Sequence, residues 1–154
     1  MDNLLKLEME PSIDSLFDFK YQLLESLLPF SRTRERSVPR ILLVDDDPLF
    51  GRIMKVVAKI DMIPLTYCKS ARDISKLDEW NFDVVLADYE LGHVNGFQLA
   101  CYVEKYGKPL PVVIVSEYDK KDSRSWPHLV CNFVSKSAGP RSVLKAAIKA
   151  HDEW

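Results

Sequence analysis

Four apolar runs of strand length in this chain each lead into a residue able to do chemistry. Ile41-Leu42-Leu43-Val44 runs into Asp45-Asp46-Asp47, Val84-Val85-Leu86-Ala87 into Asp88, Pro111-Val112-Val113-Ile114-Val115 into Ser116, and Cys131-Asn132-Phe133-Val134 into Ser135 and Lys136. Carboxylates from two adjacent strands are hard oxygen ligands suited to Mg2+, an ion that keeps several waters and commonly bridges to a phosphate. A carboxylate held beside such an ion can act as a nucleophile and form an aspartyl phosphate. A serine hydroxyl and a lysine ammonium would then bind the phosphoryl oxygens, one by hydrogen bond and one as a point charge.

These residues can meet only if their runs are neighbours in one sheet, and the segments between the runs supply what that requires. Pro48 suits a first helical turn, and Phe50, Ile53, Met54, Val57 and Ile60 follow at helical spacing. Leu65-Thr66-Tyr67-Cys68 reads as a further strand, with Ser70 capping a helix that runs towards Trp80. Asn95-Gly96 turns into a helix bearing Phe97, Leu99, Ala100 and Val103; a less regular helix is predicted near 119–128 and a last one over 140–150. Five strand–helix repeats with strands apolar on both faces predict an α/β fold, a parallel sheet covered by helices on each side. Such a sheet places its chemistry outside the carboxyl ends of its strands, where these polar residues fall.

A chain of 154 residues has room for one ordinary domain plus appendages. Its 47% hydrophobic and 29% charged content is that of a soluble globular protein. No apolar run approaches the roughly 20 residues of a bilayer span, and a net charge of −2 argues against nucleic-acid binding by charge alone. Cys68, Cys101 and Cys131 lie far apart, which suggests neither a disulfide framework nor a zinc site and fits a reducing cytosol. His93, His128 and His151 have no ligand spacing.

Charge along the chain marks a boundary. Residues 1–31 hold six acids against two lysines, residues 32–39 form an arginine-rich linker closing on Pro39, and the main domain is expected over 40–154. Within the first segment Ile13, Leu16, Phe17, Tyr21, Leu23, Leu24, Leu27 and Leu28 recur at helical spacing between Ser12 and Pro29. One amphipathic helix over 12–28 is predicted; its acidic start and internal charges exclude a signal peptide. Its apolar face needs cover, either on its own domain or on a second copy of the chain, and of these a homodimer through residues 12–28 is the favoured expectation.

Taken in order, Ile41-Leu42-Leu43-Val44-Asp45-Asp46-Asp47-Pro48, Asp83-Val84-Val85-Leu86-Ala87-Asp88 with Gly92-His93-Val94-Asn95-Gly96, Val113-Ile114-Val115-Ser116 and Phe133-Val134-Ser135-Lys136 resemble the receiver domain of bacterial two-component response regulators over residues 40–150. The resemblance implies a doubly wound, flavodoxin-like (βα)5 fold with strand order 2-1-3-4-5. It implies that Asp88 is the phosphoacceptor and that Asp45 and Asp46 hold Mg2+ with it, the backbone carbonyl of Glu90 being a further ligand. Ser116 corresponds to the switch hydroxyl, Lys136 to the family's lysine, and Phe133 to the aromatic position whose burial is coupled to the switch. The implied function is that of a cytoplasmic phosphorelay switch rather than an enzyme. Its donor would be a phosphohistidine on a sensor histidine kinase or phosphotransfer protein, and its output contact with a downstream protein. Direct nucleic-acid binding is not expected.

Two other readings compete. A receiver-like binding module would keep the fold and signal without phosphate. A haloacid-dehalogenase-type phosphohydrolase would use Asp45 as nucleophile and Asp47 as acid/base, but leaves Asp88 without a role and lacks a later acidic pair at a strand end. Three positions also depart from the receiver pattern. Ser137 follows Lys136 where the family usually has a cis proline; without proline a cis bond costs about 3 kcal/mol, so a trans link and a differently aimed lysine are expected. Glu117 stands where a small residue is usual and Gly92 where proline is common, and the added carboxylate opposes an incoming phosphate.

Overall fold

The computed structural model describes residues 37–76, 81–106, 109–117 and 125–154. The helix expected over 12–28, most of the linker and most of the irregular helix near 119–128 lie outside them. Strand β1 (Ile41–Val44) leads into helix α1 (Pro48–Ile60), followed by β2 (Leu65–Cys68), a 3-10 helix (Ala71–Lys76) and β3 (Val84–Asp88). Two short strands, β4 (Glu90–Leu91) and β5 (Val94–Asn95), then α2 (Gly96–Tyr106), β6 (Val112–Ser116), β7 (Val130–Ser135), a second 3-10 turn (Lys136–Ala138) and α3 (Pro140–Glu153) complete the order. The main sheet runs β2-β1-β3-β6-β7, and every pairing in it is parallel. This is the order and class that the resemblance implied.

The strands are apolar on both faces because each face has its own core. Side chains alternate across a strand, so Leu42, Val44, Val85, Ala87, Val112 and Ile114 pack with Leu99, Ala100 and Val103 of α2. Ile41, Leu43, Val84, Leu86, Val113 and Val115 face the other way, against Met54 and Ala58 of α1 and Val143, Leu144 and Ala147 of α3. Every residue of β1 and β3 is buried. At roughly 1.5–3 kcal/mol for each large apolar side chain, these two central strands anchor the positions that follow them. β7 lies at the sheet edge and exposes Cys131 and Phe133.

Local signals set the element ends. Asp47 caps α1, its Oδ1 accepting the Leu49 N–H at 2.8 Å with Pro48 in the first turn. Asn95 and Gln98 cap α2 reciprocally, with bonds of 2.9 and 3.0 Å. Met62 closes α1 at φ 55, an uncommon conformation for a residue with a side chain. Two sequence expectations need correction. Ser70 does cap the next element, its Oγ accepting the Arg72 N–H at 3.2 Å, but through Lys76 that element is a 3-10 helix. Asp73 and Ser75 are poor interior helix formers, which favours a short turn. The described end of the predicted fourth helix, Ser125 to His128, is not helical; Pro127 removes a donor there.

The chain enters the sheet through a clasp. The Arg40 guanidinium reaches Asp83 from Nε (2.9 Å) and NH2 (2.8 Å), and the Arg40 backbone N–H donates to the same carboxylate at 2.8 Å. The bonded guanidinium holds the Asp83 carboxyl down to about 2, against burial, which acts upward. A carboxyl lowered in the folded state adds stability above its ordinary pKa and loses it as pH falls through the lowered value. Asp83→Asn should therefore melt a few degrees below the parent at neutral pH. That gap should close between about pH 4 and 2. Thermal melts across this range check it, and a gap constant with pH would mean that the carboxylate charge does not hold the clasp.

Candidate functional site

Asp45 follows β1 and Asp88 ends β3, and the parallel register that pairs Val44 with Ala87 sets the two acids side by side. Both are buried, at 0% and 5% exposure, while Asp46 is exposed on the loop. One carboxylate oxygen from each of the three lies within 4.8 Å of the others. Ser116 at the end of β6 and Lys136 just beyond β7 complete the group from the far side of the sheet. They share a cleft of about 500 Å³ whose lining includes Asp46, Asp88, Glu90, Ser116, Glu117 and Lys136.

Lys136 is the centre of the arrangement. Its Nζ lies 2.8 Å from Asp45 Oδ2 and 3.0 Å from Asp88 Oδ2, with the lysine side chain only 7% exposed. Burial pushes Asp45 up to about 6 and raises Asp88 as well, in each case against the pull of Lys136. Burial alone would lower the lysine, but the two carboxylates outweigh it and raise it. Three carboxylates against one ammonium leave an excess of negative charge. Asp45 Oδ2 is buried and accepts no aligned hydrogen bond, although the ammonium stands close. Convergent carboxylates with this excess of negative charge fit a hard divalent cation such as Mg2+.

The loops hold these groups by backbone bonds. Asp45 Oδ1 accepts the Asp47 N–H at 2.9 Å, and Asp88 Oδ1 accepts the Glu90 N–H at 3.3 Å. Gly96 sits where an added Cβ would come 2.8 Å from the Asp88 carbonyl oxygen, so the start of α2 can approach β3 only without a side chain. Gly92 turns the β4–β5 hairpin at φ 70, a conformation closed to proline. That accounts for glycine at this position.

Of the residues singled out from sequence, Asp45, Asp46, Asp88, Ser116 and Lys136 come together at one end of the sheet, with Glu90 beside them. Phe133 does not join them. It is 41% exposed on β7 and packs edge-on against Trp126, with ring centroids 5.0 Å apart. Asp47, the acid/base of the hydrolase reading, uses its carboxylate to cap α1. The peptide bonds of the described residues are all trans, as expected after Lys136, yet the lysine is not turned away. Ser135 Oγ accepts the Ser137 N–H at 3.2 Å and caps the turn over Lys136–Ala138, which keeps the ammonium directed into the site. Glu117 reaches the cleft mouth, 63% exposed, with Oε1 3.9 Å from Nζ.

Two contributors escaped the sequence reading. Phe50 falls in the apolar stripe of α1, yet its ring centroid lies 4.8 Å from the lysine Nζ. Trp126 meets Tyr89, Phe97 and Phe133, with centroids 6.1, 5.4 and 5.0 Å away. Neither has a local signal, because each acquires its neighbours from distant parts of the chain. Among the described residues, no helix is long and apolar enough to cross a membrane.

Comparisons with known proteins agree with this geometry. The two-component response regulator ORR26 of Oryza sativa subsp. japonica is 31% identical over 105 residues, 63% of this chain and 17% of that protein. The chain spans less than a fifth of the length of the curated relatives it matches. The CheY-like receiver domain protein of Methanospirillum hungatei JF-1 superposes with a TM-score of 0.63 at 21% identity, over 76% of this chain and 96% of that one. TrrA of Thermotoga maritima, solved in complex with Mg(2+)-BeF, gives 0.63 at 21% identity over 72% and 97%. These two likenesses establish the fold. The family model described as the response regulator receiver domain matches residues 41–148, and on that match, joined to the sheet order and the strand-end acids, the chain belongs to the response regulator receiver domain family.

Proposed function

We propose that this receiver is a phosphorylation-dependent switch that takes a phosphoryl group onto Asp88 from a phosphohistidine on a sensor histidine kinase or phosphotransfer protein. The observation that carries the reading is the Lys136 ammonium set between Asp45 and Asp88, within the same end of the sheet as Ser116. In the transfer, an Asp88 carboxylate oxygen forms the new bond to phosphorus as the bond to the donor imidazole nitrogen breaks. The electron pair leaves with that nitrogen, which takes a proton from solvent. Lys136 and the Ser116 hydroxyl bind the phosphoryl oxygens as their charge is redistributed. Asp45, Asp46, Asp88 and the backbone carbonyl of Glu90 are the groups that would hold Mg2+, which supplies charge neutralisation when bound. Movement of Ser116 and Phe133 would then alter a surface read by a downstream protein in the cytoplasm.

A second reading, a binding module that signals without phosphate, is favoured by one observation, the Glu117 carboxylate at the mouth of the cleft facing Lys136. The two readings part on a direct measurement. With Mg2+ and a small phosphodonor, mass spectrometry should find one added phosphate, and Asp88→Asn should abolish it. No labelling of the parent would favour the binding module, and label that survives or moves to Asp45 would reject Asp88 as acceptor.

Mutual repulsion of the three acids destabilises the empty site, so a divalent ion should raise the melting temperature by mass action. Asp46→Ala should remain folded and lose most of that rise, read by thermal melts with and without Mg2+. An undiminished rise would place the ion elsewhere.

Glu117 opposes a dianionic donor by charge and by bulk. Glu117→Ala should speed labelling of Asp88 several-fold, followed as a time course at fixed donor concentration. Rates equal to the parent would mean that this carboxylate does not limit access.

A further inference from the structure

We propose that Phe50 is a positioning residue for Lys136, its ring forming the inner wall of the ammonium's seat; the proposal rests on the reading of Lys136 as a phosphoryl-binding cation. The ring centroid stands 4.8 Å from Nζ, while the same Nζ contacts Asp45 and Asp88. An ammonium over an aromatic face is attracted by the ring quadrupole, and the attraction grows where water is excluded. Here the lysine side chain is 7% exposed.

The ring is itself fixed relative to the acids. Phe50 lies in the first turn of α1, which Asp47 caps, and the Asp47 N–H is bonded to Asp45 Oδ1. Phe50 also packs against the core formed by Ile41, Leu43, Met54 and their neighbours. Lys136 arrives from the opposite edge of the sheet on a flexible four-carbon stem. Its inward choice is Asp45, Asp88 and the ring; its outward choice is Glu117, exposed and 3.9 Å away. The ring favours the inward position without adding another carboxylate. This matters most when the acids turn to other cations or to a phosphoryl group, because an aromatic face does not compete for either.

The test compares Phe50→Leu, which keeps apolar bulk and removes the aromatic face, with Phe50→Tyr, which keeps both. In the full chain without metal, the Lys136 side-chain methylene resonances should show a ring-current shift in the parent and in Phe50→Tyr. That shift should be lost in Phe50→Leu. With Mg2+ and a small phosphodonor, Phe50→Leu should label Asp88 about three- to tenfold more slowly, and Phe50→Tyr near the parent rate. Glu117→Ala should speed labelling by a larger factor in the Phe50→Leu chain than in the parent, because there it also removes the outward partner that the lysine turns to. The proposal is overturned if the lysine resonances and the labelling rate of Phe50→Leu match the parent, or if Phe50→Tyr is as impaired as Phe50→Leu. If the parent itself takes no phosphate, the phosphorylation reading fails, and the lysine resonances still decide whether the ring holds the ammonium.

Discussion

Everything at the working end of this protein depends on the contact of one ammonium with two buried carboxylates. Taking Asp45 and Asp88 out of water is costly, and a lysine between them offsets only part of that cost. The excess negative charge that remains suits a hard divalent cation and opposes a lone phosphate by electrostatics. The interaction is a constraint on topology as well. Asp45, Asp88 and Lys136 can meet only if β1 and β3 are adjacent and β7 closes the same side of the sheet, which is the order observed.

The apolar framework makes such a cluster tolerable. β1 and β3 are buried along their whole length between two cores, so their carboxyl ends cannot drift apart without exposing both. What lies beyond the strand ends is held by hydrogen bonds. The Asp47 cap, the Glu90 N–H on Asp88 and the Ser135 cap each hold a loop against a neighbouring element. The site thus combines rigid strand ends with short, bonded turns, and Glu117 lies exposed just past the end of β6.

Three departures from the family pattern have separate physical consequences. Gly92 suits a hairpin turn at positive φ, so its replacement of proline belongs to the local geometry of β4 and β5. Ser137 gives the turn after β7 a hydroxyl 2.7 Å from Ser135 Oγ and an N–H bonded to it; side-chain capping orients the lysine there through trans peptide links. Of the three, Glu117 alters the electrostatics of the cleft, since it adds a carboxylate facing Lys136, the only lysine among the described lining residues.

The sequence alone determined the elements whose causes are local: the apolar runs that become β1, β3 and β6, the Asp47-Pro48 start of α1, the Asn95-Gly96 start of α2, and the polar residue at each strand end. It also allowed the strand order to be named, because the acids, Ser116 and Lys136 occur in a recognisable succession. It predicted a helix after Ser70 but not its kind: through Lys76 the element is a 3-10 helix, where Asp73 and Ser75 favour a short turn over an α-helix. Tertiary structure decided the rest. Whether Lys136 would point inward with Ser137 after it, whether Phe133 would be buried, and what the Phe50 ring would face all depend on residues far apart in the chain. A helical stripe shows only that Phe50 must find an apolar surface. The sheet brings Lys136 to it, because contacts across strands are set by packing and register, which no short stretch of sequence contains.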